Sequence, residues 1–314
     1  MNGAPKHEPH GVVLIDKPKG PTSFDVVAEV RRRIGSKRVG HTGTLDPMAT
    51  GLLPICIGEA TKLVPFLTDC DKAYEAEIVF GVTTTTGDAE GEVVDRKDAS
   101  ALDAVALQAA VQALTGRIEQ RPPMYSAVKV NGRRLYELAR EGVEVERQAR
   151  SIEVLSLTLE LLRIENETAI HRLCIRCTKG TYVRVIAEDL GAALGVGAHL
   201  SALRRTEVGR FHLKDAVALA QLTATQPLLG LAEAIDHLPS GVLDAAGCKR
   251  VRAGQERWLF ERSLPPAEGR SRLIDEAGGL VAVIRRTGQK IAFERVFVDR
   301  PGPAEANNHH LEIV

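Results

Sequence analysis

Two long alternating segments constrain the fold of this chain of 314 residues more than any other feature. Residues 152–164 and 168–177 largely alternate between apolar and polar side chains, and only three polar residues separate them. This period of two predicts two β-strands joined as a hairpin. Residues 72–80 alternate in the same way, with Tyr74 on the apolar side. Strands mixed with helices, without regular βαβ alternation, predict an α+β fold with a large, mostly antiparallel mixed sheet flanked by helices.

Helix signals and a change of composition complete the outline. Thr22 or Ser23 begins a predicted helix over residues 22–34, which Gly35 ends. Two further helices are predicted over residues 181–194 and 215–222. After residue 239, glycines interrupt short apolar runs, which is typical of a small β-rich domain. The chain is long enough for two domains, which we expect at 1–240 and 241–314.

The segment GHTGTLDPMATGLLPICIGEATK, residues 40–62, places Asp46 in a loop rich in glycine and small polar residues. Gly43 and Gly51 permit backbone angles and close approaches that other residues resist. Asp46 before Pro47 indicates a turn. The carboxylate therefore either faces a cleft or only caps nearby backbone N–H groups in an Asx turn.

Four more segments accompany this loop in the chain: GVVLIDKPKGPTSFDVV at 11–27, DKAYEAEIVFG at 71–81, PPMYSAVKVNGRRLYELAREG at 122–142 and CTKGTYVRVIAEDLG at 177–191. Together the five segments resemble the TruB family, the bacterial synthases that make pseudouridine in the T-loop of tRNA. The resemblance implies a pseudouridine-synthase-like catalytic domain over 1–240. It also implies a PUA-like RNA-binding module over 241–314, where the match is weaker and a purely structural cap is the alternative.

The resemblance assigns catalytic roles to Asp46, Tyr74 and Arg184. A carboxylate with an ordinary pKa of ~3.9 is already ionised at neutral pH and suits a covalent role, at either the uracil C6 or the ribose C1′. Arg184 would pair with Asp46 and orient it, and Tyr74 would take up or relay the C5 proton. From pattern alone, Arg184 fits a surface ion pair with Glu188 equally well, and Tyr74 fits the core.

Four other positions match residues of the family that contact the substrate. His41 would fill the space left when the target base is flipped out of the RNA. Tyr182 and Leu203 would contact that base, and Lys17 would support the site without reacting. As isolated residues, His41 fits a surface loop, and Tyr182 and Leu203 fit ordinary packing.

Charge and cysteine content add limits. Lysine and arginine number 41, as do aspartate and glutamate, so the formal charge is zero. Local basic clusters could still bind phosphates, with a solvated helix face as the alternative. They are Arg31, Arg32, Arg33, Lys37 and Arg38, and the pair Arg204 and Arg205.

Five irregularly spaced cysteines argue against a disulfide framework and favour a reducing cytoplasm. Cys174 and Cys177 lack a second pair at zinc spacing, so we expect them to be strand residues. No metal or cofactor is implied. The amino terminus lacks an apolar signal core, and no apolar run reaches the ~18 residues of a membrane span.

These observations predict a stand-alone enzyme that isomerises uridine 55 in the T-arm of tRNA, acting as a monomer without a protein partner. A guide-RNA-dependent synthase subunit is one alternative. A tRNA-binding chaperone that remodels RNA without chemistry is another.

Overall fold

The computed structural model describes residues 8–126, 128–130, 132–261 and 268–298. Contacts divide the chain into two compact units, Met1–Leu229 and Gly230–Val314. Each unit has its own hydrophobic core. The domain boundary after residue 240 stays a prediction.

The first unit combines strands with shorter helices. Its strands are β1 Gly11–Lys17, β2 Val39–His41, β3 Thr50–Ile57, β4 Lys72–Phe80, β5 Val82–Thr84, β6 Val93–Arg96, β7 Gly116–Gln120, β8 Lys129–Val130, β9 Arg133–Arg134, β10 Arg150–Glu165, β11 Thr168–Cys177, β12 Ala198–Val208, β13 Phe211–His212 and β14 Val217–Ala218. Its helices are α1 Ser23–Ile34, α2 Val64–Thr68, α3 Ala104–Ala113, α4 Leu135–Arg140 and α5 Val183–Ala193, with 3₁₀ segments at Gly58–Leu63, Leu213–Asp215 and Leu219–Gln221.

One ten-stranded sheet dominates this unit, in the order β14, β1, β3, β12, β4, β11, β10, β7, with β2 paired to β3 and β13 to β12. The β1/β14 and β3/β12 pairs are parallel. The other pairs described in this sheet are antiparallel. The predicted hairpin is β10 and β11, with Leu159 opposite Leu173. The predicted mixed, mostly antiparallel α+β fold is therefore confirmed.

Helix α1 begins and ends where the sequence predicts. The Thr22 hydroxyl accepts a hydrogen bond from the Asp25 N–H, and the Asp25 carboxylate accepts one from the Thr22 N–H. Gly35 ends the helix with φ 74°, a left-handed angle that favours glycine. Val26, Val27 and Val30 lie buried against the sheet core.

The helix predicted over residues 215–222 is wrong. That segment holds two short 3₁₀ turns around strand β14. Val217 pairs in parallel with Ile15 of β1, so a backbone ladder to a distant strand replaces the helical hydrogen bonds. Local periodicity could not reveal that partner.

The second unit is β-rich, as predicted. Its elements are α6 Leu231–Ala234, β15 Ser240–Leu243, α7 Ala245–Arg252, α8 Glu256–Glu261, β16 Gly269–Asp275, β17 Leu280–Thr287 and β18 Lys290–Val296. These strands form one sheet in chain order, in which β15 and β16 are parallel and the other described pairs are antiparallel. Leu243, Val251, Leu273 and Ile284 are buried in its core. Across both units, no described helix is long and apolar enough to span a membrane.

Candidate active site

Asp46 lies in the loop between β2 and β3, and neighbouring elements fix that loop firmly. The Ser23 hydroxyl of α1 donates to the Leu45 carbonyl at 3.1 Å and accepts from the Leu45 N–H at 2.9 Å. The Gly20 N–H donates to the Pro47 carbonyl at 2.9 Å. These contacts on both sides of Asp46 leave its carboxylate little freedom to move with the backbone.

Lys17 fixes the same loop from β1. Its buried ammonium donates to the carbonyls of Ala49 at 2.6 Å, Pro18 at 3.0 Å and Pro47 at 3.4 Å. Burial lowers the pKa of Lys17 to about 8, while the charge of Asp46 opposes that fall. Lys17 thus lies under the loop, with its charge near Asp46.

Arg184 of α5 pairs with Asp46, as the family resemblance implied. Its Nη2 lies 3.1 Å from Asp46 Oδ2, and only 5% of the arginine side chain is exposed. Its guanidinium also donates to the carbonyls of Thr86 at 3.0 Å and Tyr125 at 2.6 Å. No ion pair to Glu188 is present among the described contacts, so the surface-pair alternative is wrong. Arg184 is a buried, fully oriented partner of the carboxylate.

Asp46 keeps a partly open environment. Its side chain is 38% exposed, yet the surrounding protein raises the pKa of the carboxyl. The positive charge of Arg184 opposes that rise, and the negative charge of Asp88 adds to it. The carboxylate is therefore both accessible and dependent on Arg184 for its charged form.

Asp88, which the sequence reasoning missed, is the second acid on Arg184. Its Oδ2 lies 3.3 Å from Arg184 Nη1, and 5% of its side chain is exposed. The Thr86 hydroxyl donates to Asp88 Oδ1 at 2.6 Å, and the Glu90 N–H donates to the same atom at 3.1 Å. In sequence, Asp88 stands in a polar TTTTGDAEG loop, where an Asx turn is the ordinary interpretation.

Tyr74 lies on β4, between β11 and β12. It is opposite Ile175 on one neighbour and Arg205 on the other, and it packs against the main core, as its inward direction predicted. Burial raises the pKa of its hydroxyl, whereas the nearby Arg205 charge lowers it. The charge of Asp46 also acts on this hydroxyl, which places both groups in one electrostatic environment.

Tyr182, Leu203 and His41 surround these groups. Tyr182 is the N-cap residue of α5, where its backbone exchanges hydrogen bonds with the Gln120 side chain at 2.7 and 3.1 Å. Burial raises the pKa of its hydroxyl, on which Asp46 and Arg184 also act. Leu203 lies on β12 opposite Ala76 and is 8% exposed.

His41 ends β2, and its Nδ1 accepts a hydrogen bond from the Gly43 N–H at 3.3 Å. That bond assigns the ring proton to Nε2. Burial lowers the pKa of His41, and the Arg205 charge adds to the effect. The ring meets Phe24 edge to face, with centroids 5.4 Å apart. His41 therefore joins the loop of Asp46 to an exposed aromatic side chain.

The basic clusters are more internally paired than the sequence suggested. Arg38 binds Glu59 at 2.9 Å, and Arg33 donates to the carbonyls of Ala220 and Leu222. Arg205 is 1% exposed, so neither phosphate binding nor a solvated face, the two interpretations of its cluster, applies to it. No group of three or more potential metal ligands occurs among the described residues.

Comparison with known proteins identifies the class. The model of the N-terminal domain of TruB family pseudouridylate synthases matches residues 31–183, and that of the tRNA pseudouridylate synthase B C-terminal domain matches residues 184–236. A solved chain from an H/ACA ribonucleoprotein bound to a substrate RNA shares the fold, with a TM-score of 0.66 and 24% identity over 92% of this chain and 86% of that one. Fold and domain matches together define a pseudouridylate synthase, which is an isomerase.

Full-length relatives then fix the family. The tRNA pseudouridine synthase B of Cupriavidus metallidurans is 46% identical, over 93% of this chain and 95% of the relative. That of Shouchella clausii is 44% identical, over 88% and 93%. The chain belongs to the TruB family.

Proposed function

We propose that this chain converts the T-loop uridine of tRNA, at position 55, to pseudouridine, with Asp46 as the covalent nucleophile. The observation that supports it most is the buried Arg184, which holds a partly exposed carboxylate at 3.1 Å. A fixed N–H donor that carries a positive charge orients and stabilises such a carboxylate better than water does. Tyr74, on whose hydroxyl the charge of Asp46 acts, takes up or relays the C5 proton.

An exposed aromatic and basic surface supports the RNA substrate. Phe24 is 56% exposed, meets His41 edge to face, and lies under the Arg134 guanidinium at 5.4 Å from its ring centroid. Arg134 also lies 5.8 Å from the ring centroid of Tyr136. Planar rings and guanidinium groups of this kind stack on unpaired bases. His41 would then occupy the space of the flipped uridine, with Tyr182 and Leu203 against the base and Lys17 fixing the loop.

The remaining expectations belong to the same proposal. We infer a monomer that acts in the cytoplasm on the T-arm, without a guide RNA or protein partner. A catalytic domain over 1–240 is followed by a PUA-like module over 241–314 that adds RNA contacts.

Tritium release tests the activity directly. The purified chain is incubated with an unmodified T-arm hairpin labelled at uracil C5, and the label in water is measured. Asp46→Asn should reduce release by at least ~10⁴-fold while hairpin binding stays within about threefold. Arg172→Met, an exposed arginine of the β10/β11 hairpin, is the control and should keep full activity.

Other results would contradict the proposal. A wild-type chain that binds the hairpin without release would be a chaperone. Release that needs added guide RNA and proteins would indicate a guide-dependent subunit. Activity in Asp46→Asn would remove Asp46 as the nucleophile.

The pH dependence offers a second test. Because the surrounding protein raises the pKa of Asp46, the carboxylate takes up a proton at a higher pH than an ordinary aspartate. Single-turnover rates should therefore fall with acid at a pH above the ordinary ~3.9. An acid limb at or below that value would contradict the role of Asp46.

A further inference from the structure

We propose that Arg205 is a positioning residue for the proton step, because it lies opposite Tyr74 on the neighbouring strand while its guanidinium binds the Asp46 loop. The inference rests on the proposed function and extends it to a residue that touches neither RNA nor solvent. Arg205 acts through Tyr74 and the loop, so it is distinct from the catalytic residues.

Arg205 differs from Arg184, the buried arginine that pairs with two acids. It is 1% exposed, and no described carboxylate lies within ion-pair distance of it. Its Nε donates to the Leu52 carbonyl at 2.7 Å, and its Nη2 donates to the Gly43 carbonyl at 3.1 Å. Burying an arginine without an acid is costly. Because no carboxylate neutralises it, the guanidinium charge of Arg205 acts on nearby uncharged groups, which include the Tyr74 hydroxyl.

The sheet delivers Arg205 to this point. On β12 it lies opposite Tyr74 of β4 on one side and Gly51 of β3 on the other. A Cβ atom at Gly51 would lie 2.3 Å from the Arg205 carbonyl oxygen, and Gly51 has φ 99°. Only glycine permits that approach. The strand that carries Tyr74 and the strand that follows the Asp46 loop therefore both meet Arg205.

The guanidinium binds the loop, and its charge acts on the tyrosine. Its Nη2 donates to the carbonyl of Gly43, three residues before Asp46, and the Gly43 N–H binds His41. Tyr74 lies directly opposite Arg205 on the neighbouring strand, and the guanidinium charge acts on its hydroxyl. One buried group thus joins the loop of Asp46 to the strand of Tyr74.

The chemistry explains why a cation belongs there. In the isomerisation, N1–C1′ and C5–H break while C5–C1′ and N1–H form, so no oxidant or reductant is needed. When the C5–H bond breaks, its electron pair stays with the ring and restores the C5=C6 double bond. The proton passes to the Tyr74 oxygen, whose own hydrogen moves on through water toward N1. A guanidinium beside that oxygen stabilises the negative charge that develops as the phenol hydrogen leaves.

The test compares two substrates on the same protein preparation. One T-arm hairpin carries uridine at the target, with hydrogen or deuterium at C5, and the other carries 5-fluorouridine. Fluorine cannot leave as a proton, so conversion of the second hairpin ends at the rearranged base, before the proton step. The variants are Arg205→Met and Arg205→Lys, with Arg172→Met as control.

For Arg205→Met we expect the single-turnover rate on uridine to fall about 100-fold and the C5 deuterium isotope effect to rise. Rearrangement of 5-fluorouridine should stay within about threefold of wild type. Arg205→Lys, which keeps the charge, should recover about tenfold of the uridine rate.

Partial unfolding of a variant lowers both rates equally, so it cancels in the ratio of the rates on the two hairpins. Equal losses on both hairpins would show that Arg205 only maintains the fold and would overturn the inference. An unchanged uridine rate would overturn it as well. A wild-type chain inactive on both hairpins would overturn the proposed function, and this inference with it.

Discussion

The two units treat buried polar groups in opposite ways. Among the described residues, the first unit buries six charged side chains, whereas the second unit buries a single polar side chain, Ser271. A buried charge costs several kcal/mol unless partners compensate it. The six are Lys17, Glu59, Lys72, Asp88, Arg184 and Arg205.

The positions of these charges explain the difference. Lys17 and Arg205 fix the loop of Asp46, and Arg184 binds Asp46 and Asp88 directly. The small sheet instead places its ion pairs at the surface, as between Arg285 and Glu294. Charge is buried in the unit that holds Asp46, the proposed nucleophile, and the described part of the other unit is stabilised by apolar burial.

Among changes to the buried charges, the largest effect should come from Arg184→Met. The change leaves Asp88 buried without its cation, which costs about 3–5 kcal/mol in the free energy of unfolding. Activity should fall at least ~10³-fold because Asp46 loses the partner that favours its charged form. Urea unfolding and tritium release measure the two effects. Arg184→Lys is the matched variant, and recovery of stability but not of activity would show that the forked geometry matters.

Lys17→Met should give the next largest effect, and it depends on pH. The pKa of Lys17 is about 8 in the folded state, against an ordinary ~10.4. Between these values the unfolded chain binds more protons, so this group makes stability rise with pH. The variant lacks that rise. The wild-type advantage, which is the difference in free energy of unfolding between wild type and Lys17→Met, should therefore grow from pH 8 to 10 by at most about 3 kcal/mol.

Urea unfolding at several pH values measures this advantage. Lys72 provides an internal control, because its pKa is also lowered to about 8 and stays in both chains. A wild-type advantage that shrinks as pH rises would contradict the assignment.

Ser271→Ala should have a small effect and, unlike the changes above, should raise the free energy of unfolding. The Ser271 hydroxyl is buried on β16 and has no hydrogen-bond partner among the described residues. Removing an unsatisfied hydroxyl recovers its desolvation cost, so we expect stability to rise by about 1 kcal/mol. Thermal unfolding measures it. A loss of more than about 1 kcal/mol would mean that the small unit also depends on buried polar groups.

Arg172→Met should have the smallest effect. Arg172 pairs with Glu160 at 3.2 Å across the exposed hairpin, with both side chains more than half exposed. Such pairs contribute about 0–1 kcal/mol. Stability and tritium release should both stay near wild type. A large loss would remove the contrast between buried and exposed charge in this chain.

Local sequence predicted the elements whose signals lie within a few residues. Three features were predictable because each depends on neighbours in the chain. They are the caps of α1 at Thr22 and Gly35, the alternation of β4, and the hairpin of β10 and β11. The structure of residues 215–222 was not predictable, since this segment pairs with β1, which lies about 200 residues away in the chain.

The site divides in the same manner. Family motifs located Asp46, Tyr74 and Arg184 in the sequence. They did not reveal Asp88, because an aspartate in a polar loop has the same local signature whether it caps a turn or binds a buried arginine. Arg204 and Arg205 were grouped in one basic cluster, because two adjacent arginines look alike in sequence although they lie on opposite faces of β12.

The sequence by itself determined the mixed α+β architecture and the β-rich second unit and pointed to Asp46 as the carboxylate of the proposed site, because periodicity, caps and sequence motifs are local properties. Only the tertiary structure decided which charges are buried and what they bind. The loop after β5, helix α5 and strand β12 bring Asp88, Arg184 and Arg205 toward Asp46 or its loop from three distant parts of the chain. The free energy of a buried charge depends on partners in space, and no local pattern encodes them.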